Sequence, residues 1–214
     1  MKQLNILGLG LLVIGFSGCQ VKLEEIASVA AEPEATIVGI WSTACIEDSN
    51  DSYIKSFEVK DDTMTVATLK YMDNRFCDQA TLGATIMQSG PITVSGDSTE
   101  VAGGKNYEWQ IAAAVVIPNS ASIVTMLNDE SACGSSSWAL GQPGFVFGCA
   151  IGGGFDMTQV TFNTVHYGVF NIEGAATPNF LQFEAECAIA GYQGLCPTPA
   201  DRPATLGGTT YFKN

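Results

Sequence analysis

The stretch Tyr53-Ile54-Lys55-Ser56-Phe57-Glu58-Val59-Lys60-Asp61-Asp62-Thr63-Met64-Thr65-Val66-Ala67-Thr68-Leu69-Lys70-Tyr71-Met72 decides the fold. In an extended chain Tyr53, Lys55, Phe57 and Val59 share one face, with Ser56 and Glu58 opposite. Successive side chains of a strand point to opposite faces, so this period of two predicts a half-buried strand. Lys60-Asp61-Asp62 reads as a turn. From Thr63 the alternation resumes, with Met64 and Val66 on one face and Ala67, Leu69 and Tyr71 on the other. Two alternating runs around a short polar break read as a β-hairpin.

The same pattern extends in both directions. Strands are predicted at Thr36–Ile46, Ala84–Met87, Ile92–Ser95, Tyr107–Ile117, Ser122–Leu127, Gly144–Ala150, Met157–Val165, His166–Ile172 and Phe180–Glu184, with Gly, Asn, Asp and Pro between them. Only short helical turns are expected, around Ser131–Leu140 and Glu186–Tyr192. The proline-rich Pro197–Pro203 stretch and Tyr211-Phe212 read as a tail laid over the surface. Many short strands without a helical period predict an all-β fold, a single antiparallel β-barrel or alternatively a β-sandwich. No internal repeat or second domain is evident.

The N-terminal stretch has a different character. Met1-Lys2 is a short positive start, and Leu4 to Phe16 is almost wholly apolar, interrupted by Asn5. As a helix this run spans about 20 Å, short of the roughly 30 Å hydrocarbon core of a bilayer and suited to a signal-peptide core. It ends in Phe16-Ser17-Gly18-Cys19. That ending resembles the lipobox of bacterial lipoproteins, in which an apolar residue and two small residues precede a cysteine; Phe16 stands where the family usually has Leu. The resemblance implies cleavage before Cys19, a thioether-linked diacylglycerol on its sulfur and an acyl chain such as palmitate on the new amino terminus. With Gln20 rather than Asp next, it also implies the outer membrane. Several acyl chains anchor firmly, since each buried CH₂ contributes about 0.8 kcal/mol. The expected organisation is a signal peptide at 1–18, a lipidated N-terminus and flexible tether at 19–35 rich in Ala, Glu and Pro, and one β domain at 36–214.

Loss of residues 1–18 from the 214 leaves 196, with 8 Lys and Arg (Lys2 is lost) against 22 Asp and Glu, a net charge of −14. No basic patch is available to displace phosphate counterions, which argues against nucleic acid as a partner. Of seven cysteines, Cys19 is assigned to lipid, leaving Cys45, Cys77, Cys133, Cys149, Cys187 and Cys196. An even remainder in an exported chain reads as disulfides. Fifteen pairings are possible; sequence proximity favours Cys45–Cys77, Cys133–Cys149 and Cys187–Cys196. With no C-x-x-C and His166 the single histidine, no metal site or cofactor is expected.

Ile37-Val38-Gly39-Ile40-Trp41, followed by Cys45 and the hairpin, then Tyr71-Met72-Asp73-Asn74-Arg75-Phe76-Cys77, resembles the lipocalin and calycin group and bacterial envelope lipoproteins like it. Arg202-Pro203…Leu206 before a terminal aromatic is similar as well. The resemblance covers residues 35–80 and 200–214. It implies that Gly39 permits a bend and that Trp41 closes the base of a barrel. Such barrels hold one small apolar molecule. Phe162, His166 and Phe170 share a strand parity with Val160 and Ile172, so they are candidates to line a cavity, or are core.

Catalytic patterns are weak, and no enzyme activity is expected. Gly96-Asp97-Ser98 echoes a nucleophile block but lacks the matching Asp-x-x-His, and Gly103-Gly104-Lys105-Asn106 lacks the rest of a phosphate loop. Glu47-Asp48-Ser49-Asn50-Asp51 lacks the Gly and distal Glu of a calcium loop. The expected function is non-catalytic binding of a small apolar or amphipathic ligand at the cell envelope, with membrane lipid as partner through the anchor. The alternative is a surface interaction or adhesion module for a protein or glycan. A third class, an envelope hydrolase, would need a cleft joining His166 to Ser98 or to a carboxylate. Replacing Cys19 by Ser is expected to move the protein from the membrane fraction to the soluble fraction on cell fractionation; an uncleaved, membrane-bound C19S chain would mark residues 4–16 as a membrane span instead.

Overall fold

A computed structural model describes residues 37–151, 155–156, 162–173, 180–184, 196 and 198–214. Thirteen strands occur among them: β1 (Gly39–Ser42), β2 (Ile46–Asp48), β3 (Asp51–Lys60), β4 (Thr63–Tyr71), β5 (Leu82–Asp97), β6 (Lys105–Ile111), β7 (Ala113–Pro118), β8 (Gly144–Phe145), β9 (Ala150–Ile151), β10 (Phe155–Asp156), β11 (Thr164–Glu173), β12 (Phe180–Glu184) and β13 (Leu206–Lys213). One α-helix, α1 (Ala121–Asp129), joins them. Every strand pairing is antiparallel. The fold class is therefore all-β with a single helix.

The main sheet has eleven strands in the order β2-β3-β1-β13-β12-β11-β6-β5-β7-β8, with β4 pairing both β3 and β5. The hairpin at its heart is β3–β4, closed at Lys60↔Thr63 by Asp61 and Asp62 with φ of 48° and 59°. Phe57 pairs with Val66 and Val59 with Met64, so the alternating apolar residues face one core. That core continues through Trp41, Ile92, Tyr107, Trp109, Ile111, Phe170, Leu181 and Tyr211. These are large apolar side chains, each contributing roughly 1.5–3 kcal/mol on burial.

Several expectations require correction. Thr36–Ile46 holds β1 and only the start of β2, and Gly144–Ala150 holds β8 and only the start of β9, rather than one strand each. Ser122–Leu127 is helical, not extended. Ile123 and Leu127, four apart, are both buried, and the Ser120 hydroxyl accepts from the Ile123 N–H at 3.4 Å as an N-cap. Ile123, Val124, Met126 and Leu127 make a short apolar run that periodicity alone does not assign, and here the cap and the i, i+4 pair win. Tyr211-Phe212 is no surface tail: it lies in β13, between β1 and β12, with Tyr211 in the core. Ala84–Met87 and Ile92–Ser95 are two halves of the single sixteen-residue β5. Pro91, which lacks an N–H for the ladder, is tolerated because the opposite edge of β5 is irregular at that point. Conversely, Tyr107–Ile117 divides into β6 and β7 at Ala112, and both pair with the same edge of β5. The expected Met157–Val165 strand lies outside the described residues up to 161; β11 begins at Thr164. The helical turn expected in 131–140 is the short 3-10 segment Ala132–Gly134; the one at 186–192 lies outside the described residues.

At the division between β6 and β7 the chains come into close contact. A Cβ at Gly90 would lie 1.8 Å from the Gln110 carbonyl oxygen and 2.8 Å from the Ala112 nitrogen. Beyond it, α1 packs on β5 and β7, and Asn128 holds the following loop. Its Oδ1 accepts from the Trp138 N–H at 2.8 Å and its Nδ2 donates to the Trp138 carbonyl at 3.0 Å. Disulfides join Cys45 to Cys77 and Cys133 to Cys149. Cys196 is disulfide-bonded as well; Cys187 lies outside the described residues.

Gly90→Ala is expected to destabilise the fold by about 3 kcal/mol, because backbone rather than a flexible side chain occupies the space. Gly208→Ala in β13, where a Cβ meets nothing within 4 Å, is expected to change stability by about 1 kcal/mol or less. Urea unfolding of the two variants checks both.

Candidate ligand cavity

Where the hairpin turn, the second half of β5 and the start of β6 meet, the core opens into a half-open cavity of about 720 Å³. Its apolar wall includes Ile37, Val59, Ile92, Val94 and Phe170. They arrive on four pieces of chain: the approach to β1, β3, β5 (Ile92 and Val94) and β11. The volume falls within the roughly 300–1,000 Å³ of ordinary small-molecule sites.

Two charged side chains, Asp62 and Lys105, also border the cavity. Lys105 opens β6 and shares its parity with Tyr107, Trp109 and Ile111, all of them buried. It pairs across the sheet with Phe170 on one side and Asp97 on the other. Its ammonium lies 2.8 Å from the Asp97 carboxylate, whose side chain is 82% exposed against 32% for Lys105.

The three residues predicted to line a cavity separate. Phe170 does line it. His166, on the same face of β11, is also buried but does not border the cavity. The Cys196 backbone N–H donates to its Nδ1 at 3.0 Å, and its Nε2 lies 3.0 Å from the Tyr107 hydroxyl. A backbone N–H can only donate, so Nδ1 carries no proton and Nε2–H faces Tyr107. The Tyr167 N–H donates in turn to the Cys196 carbonyl at 2.9 Å. His166 thus fastens the Cys196 segment to β11. Phe162 stands outside: it is 64% exposed and meets Phe147 edge-on, ring centroids 5.8 Å apart. It precedes β11, so the parity of that strand does not govern it.

Gly39 and Trp41 lie together on β1. Gly39 has φ +134°, and a Cβ there would lie 3.0 Å from Lys213 Cε. Trp41 is fully buried, donates its indole N–H to the Ile37 carbonyl at 2.8 Å, and stacks on Phe57 with centroids 6.1 Å apart. Lys213 Nζ lies over its ring at 5.2 Å. Arg202 instead lies over Tyr167 at 5.3 Å and donates to Glu108 at 3.3 Å.

The weak motifs have structural explanations. Ser98 accepts from the Glu100 and Val101 N–H groups at 3.3 and 3.1 Å, shaping the turn between β5 and β6. Lys105 of the glycine-rich motif begins a strand, not a helix. Glu47 receives Arg75 at 2.6 Å, and Asp51 accepts the Asp73 N–H at 2.9 Å and faces Lys70 at 3.5 Å. Cys19 lies outside the described residues.

Sequence reasoning passed over Ile37, Val59, Ile92, Val94, Asp62 and Lys105 as lining residues. One signal for Lys105 was present, its parity with Tyr107 and Trp109. No protein-family model and no curated protein matches this chain.

The indole N–H groups of Trp41 and Trp109 differ in one respect. Both are buried, but that of Trp109 meets no acceptor among the described residues. An unmet buried donor costs about 1–3 kcal/mol. Trp41→Phe loses a hydrogen bond and strands the Ile37 carbonyl, whereas Trp109→Phe removes an unmet donor. Trp41→Phe is therefore expected to cost at least about 1 kcal/mol more than Trp109→Phe in chemical denaturation. Equal costs would mean that the Trp109 N–H finds an acceptor in solution.

Proposed function

We propose that this chain is an outer-membrane lipoprotein, anchored through acyl chains on Cys19, whose β domain is a lipocalin-like barrel that binds a small apolar or amphipathic ligand without catalysis. The observation that carries the binding reading is the apolar cavity of about 720 Å³ bordered by Phe170, Ile92 and Val59. A pocket with an apolar wall and few polar groups is the usual form of a small-molecule site.

The barrel reading draws on the pairings. From β1 they lead through β3, β4, β5, β6, β11, β12 and β13, and β13 pairs with β1. The strands β2, β7 and β8 flank this circuit, β2 and β8 as the free ends of the sheet. The buried Trp41 beside Gly39 fits the base that the lipocalin resemblance implies, with Lys213 as the cation over the ring. The anchor rests on the Phe16-Ser17-Gly18-Cys19 sequence and on an even number of remaining cysteines.

A second reading, a surface interaction module, draws on Leu140, Phe145 and Phe162, which are large, apolar and at least 60% exposed.

A neutral naphthylamine dye, dark in water and bright in apolar surroundings, separates the two. The carrier reading predicts saturable fluorescence enhancement by the full chain. Val94→Trp, which fills the cavity mouth from a position 46% exposed in the free protein, is expected to weaken dye binding by about tenfold or more with the melting temperature unchanged. No saturable enhancement, together with no bound small molecule in native mass spectrometry of protein taken from its host, would sink the carrier reading. Unchanged dye binding in V94W would move the site to the exposed aromatic surface.

A further inference from the structure

The cavity owes its opening to a mismatch in strand length. β4 pairs with β5 only as far as Thr63↔Pro91, where the hairpin turns back, while β5 runs on to Asp97. Across the gap stands the approach to β1: Ile37 and Val38 precede Gly39↔Val59, the first β1–β3 pair. The mouth thus lies between the overhanging end of β5 and the first described residues of the domain, and Val38 and Val94 both line it. Each is about half exposed, and the apolar surface continues down the outer wall. Ile40 shares the outward parity of Val38, opposite to the buried Trp41. Phe212 is paired with Ser42, so it lies diagonally across the β1–β13 pairing from Ile40. Ile40 and Phe212 are about half exposed as well.

Resting on the anchor and carrier reading above, we propose that this end of the domain docks on the bilayer that holds Cys19, with the mouth of the cavity against the lipid headgroups. The point of attachment selects this surface over the others. Residues 20–36 are all that separates Cys19 from Ile37, and even fully extended they span at most about 60 Å. The chain leaves the described domain at the rim of the mouth. Anchoring therefore keeps that rim at high local concentration beside the membrane, and a face too small to bind vesicles when free is occupied once tethered. Val38, Ile40, Val94 and Phe212 supply such a face. The far end of the hairpin differs, for Glu47, Asp48, Asp73 and Asp78 are exposed there, a surface that anionic lipid disfavours. The contact is interfacial. Among the described residues, the edge of β5 that faces the hairpin has no strand partner beyond Pro91, and open backbone groups tolerate headgroups and water but not hydrocarbon. A mouth docked in this way takes its apolar ligand from the lipid phase without passage through bulk water.

Fluorescence quenching by brominated lipids tests this on the full lipidated chain reconstituted in phosphatidylcholine vesicles. Trp41, Trp109 and Trp138 are buried and set a constant background. Val38→Trp and Ile40→Trp each add one probe at the mouth end, and Phe145→Trp adds one on the rival apolar surface at β8. With bromine near the headgroup end of the acyl chains, the added emission of V38W and I40W is expected to fall about twofold or more, as for a face set about 5–10 Å into the interface. Bromine at the chain ends is expected to quench less, and F145W is expected to keep its emission with either lipid. Val94→Asp combined with I40W should remove most of the quenching while the chain still floats with the vesicles. An anchored chain in which neither mouth probe is quenched would overturn the docking and leave the anchor and carrier readings standing. Quenching of F145W in place of the mouth probes overturns it too, and moves the contact to the β8 surface. A chain that does not float with the vesicles overturns the anchor and the docking together, while binding of the naphthylamine dye reports on the carrier reading alone. Should V38W fold poorly, I40W decides the matter, since Ile40 faces outward and does not line the cavity.

Discussion

Burial of Trp41 is the constraint on which the architecture turns. β1 is only four residues long, yet it separates β3 from β13. Trp41 pairs with Phe57 on one side and Lys213 on the other. Its ring needs a flat apolar partner, which Phe57 supplies, and its N–H needs an acceptor, which the carbonyl of Ile37 supplies four residues earlier. A large side chain with a polar handle is stable inside only when both needs are met. Meeting them fixes the path of residues 37–41, which includes Gly39 at φ +134°, a conformation that favours glycine. The same path places Ile37 in the cavity wall, so the packing of one indole shapes the site.

The polar groups of the molecule fall into two kinds. Those that are buried and paired hold segments together: His166 fastens Cys196, Asn128 clasps the backbone of Trp138, and Ser52 accepts from the Cys77 N–H at 3.0 Å beneath the Cys45–Cys77 bridge. Those near the surface, such as Glu47 with Arg75 and Asp97 with Lys105, are solvated pairs of small energetic weight.

Much of this was legible in the residues. The hairpin at Tyr53–Met72 forms with the faces its alternation assigns to Phe57, Val59, Met64 and Val66, and the strand read at Phe180–Glu184 has those bounds. Cys45 and Cys77 meet because they flank this hairpin, and Cys133 and Cys149 because they flank a short loop. What was not legible depends on tertiary partners. Residues 122–127 carry an apolar pattern that fits either period, and only packing against β5 and β7 decides it. Tyr211-Phe212 is a strand because two unfilled edges, those of β1 and β12, take up its backbone groups, and a sequence does not display edges. Phe162 shared a parity with His166 and Phe170, but parity holds only within a continuous strand, and it precedes this one. Lys105 fell in an incomplete phosphate-loop motif just before the strand predicted from Tyr107, whereas β6 begins at Lys105 and gives it the parity of Tyr107 and Trp109.

The strand pairings also differ widely in the length of chain they enclose. β3 meets β4, and β5 meets β6 and β7, through short connections, whereas Ser42 bonds to a residue 172 positions away when β13 settles against β1. Loop-closure entropy rises with the enclosed length, so the hairpins are expected to form before the β1–β13 pairing. β13 supplies the backbone partners for the facing edges of β1 and β12, so this one long-range strand covers two edges that would otherwise be exposed.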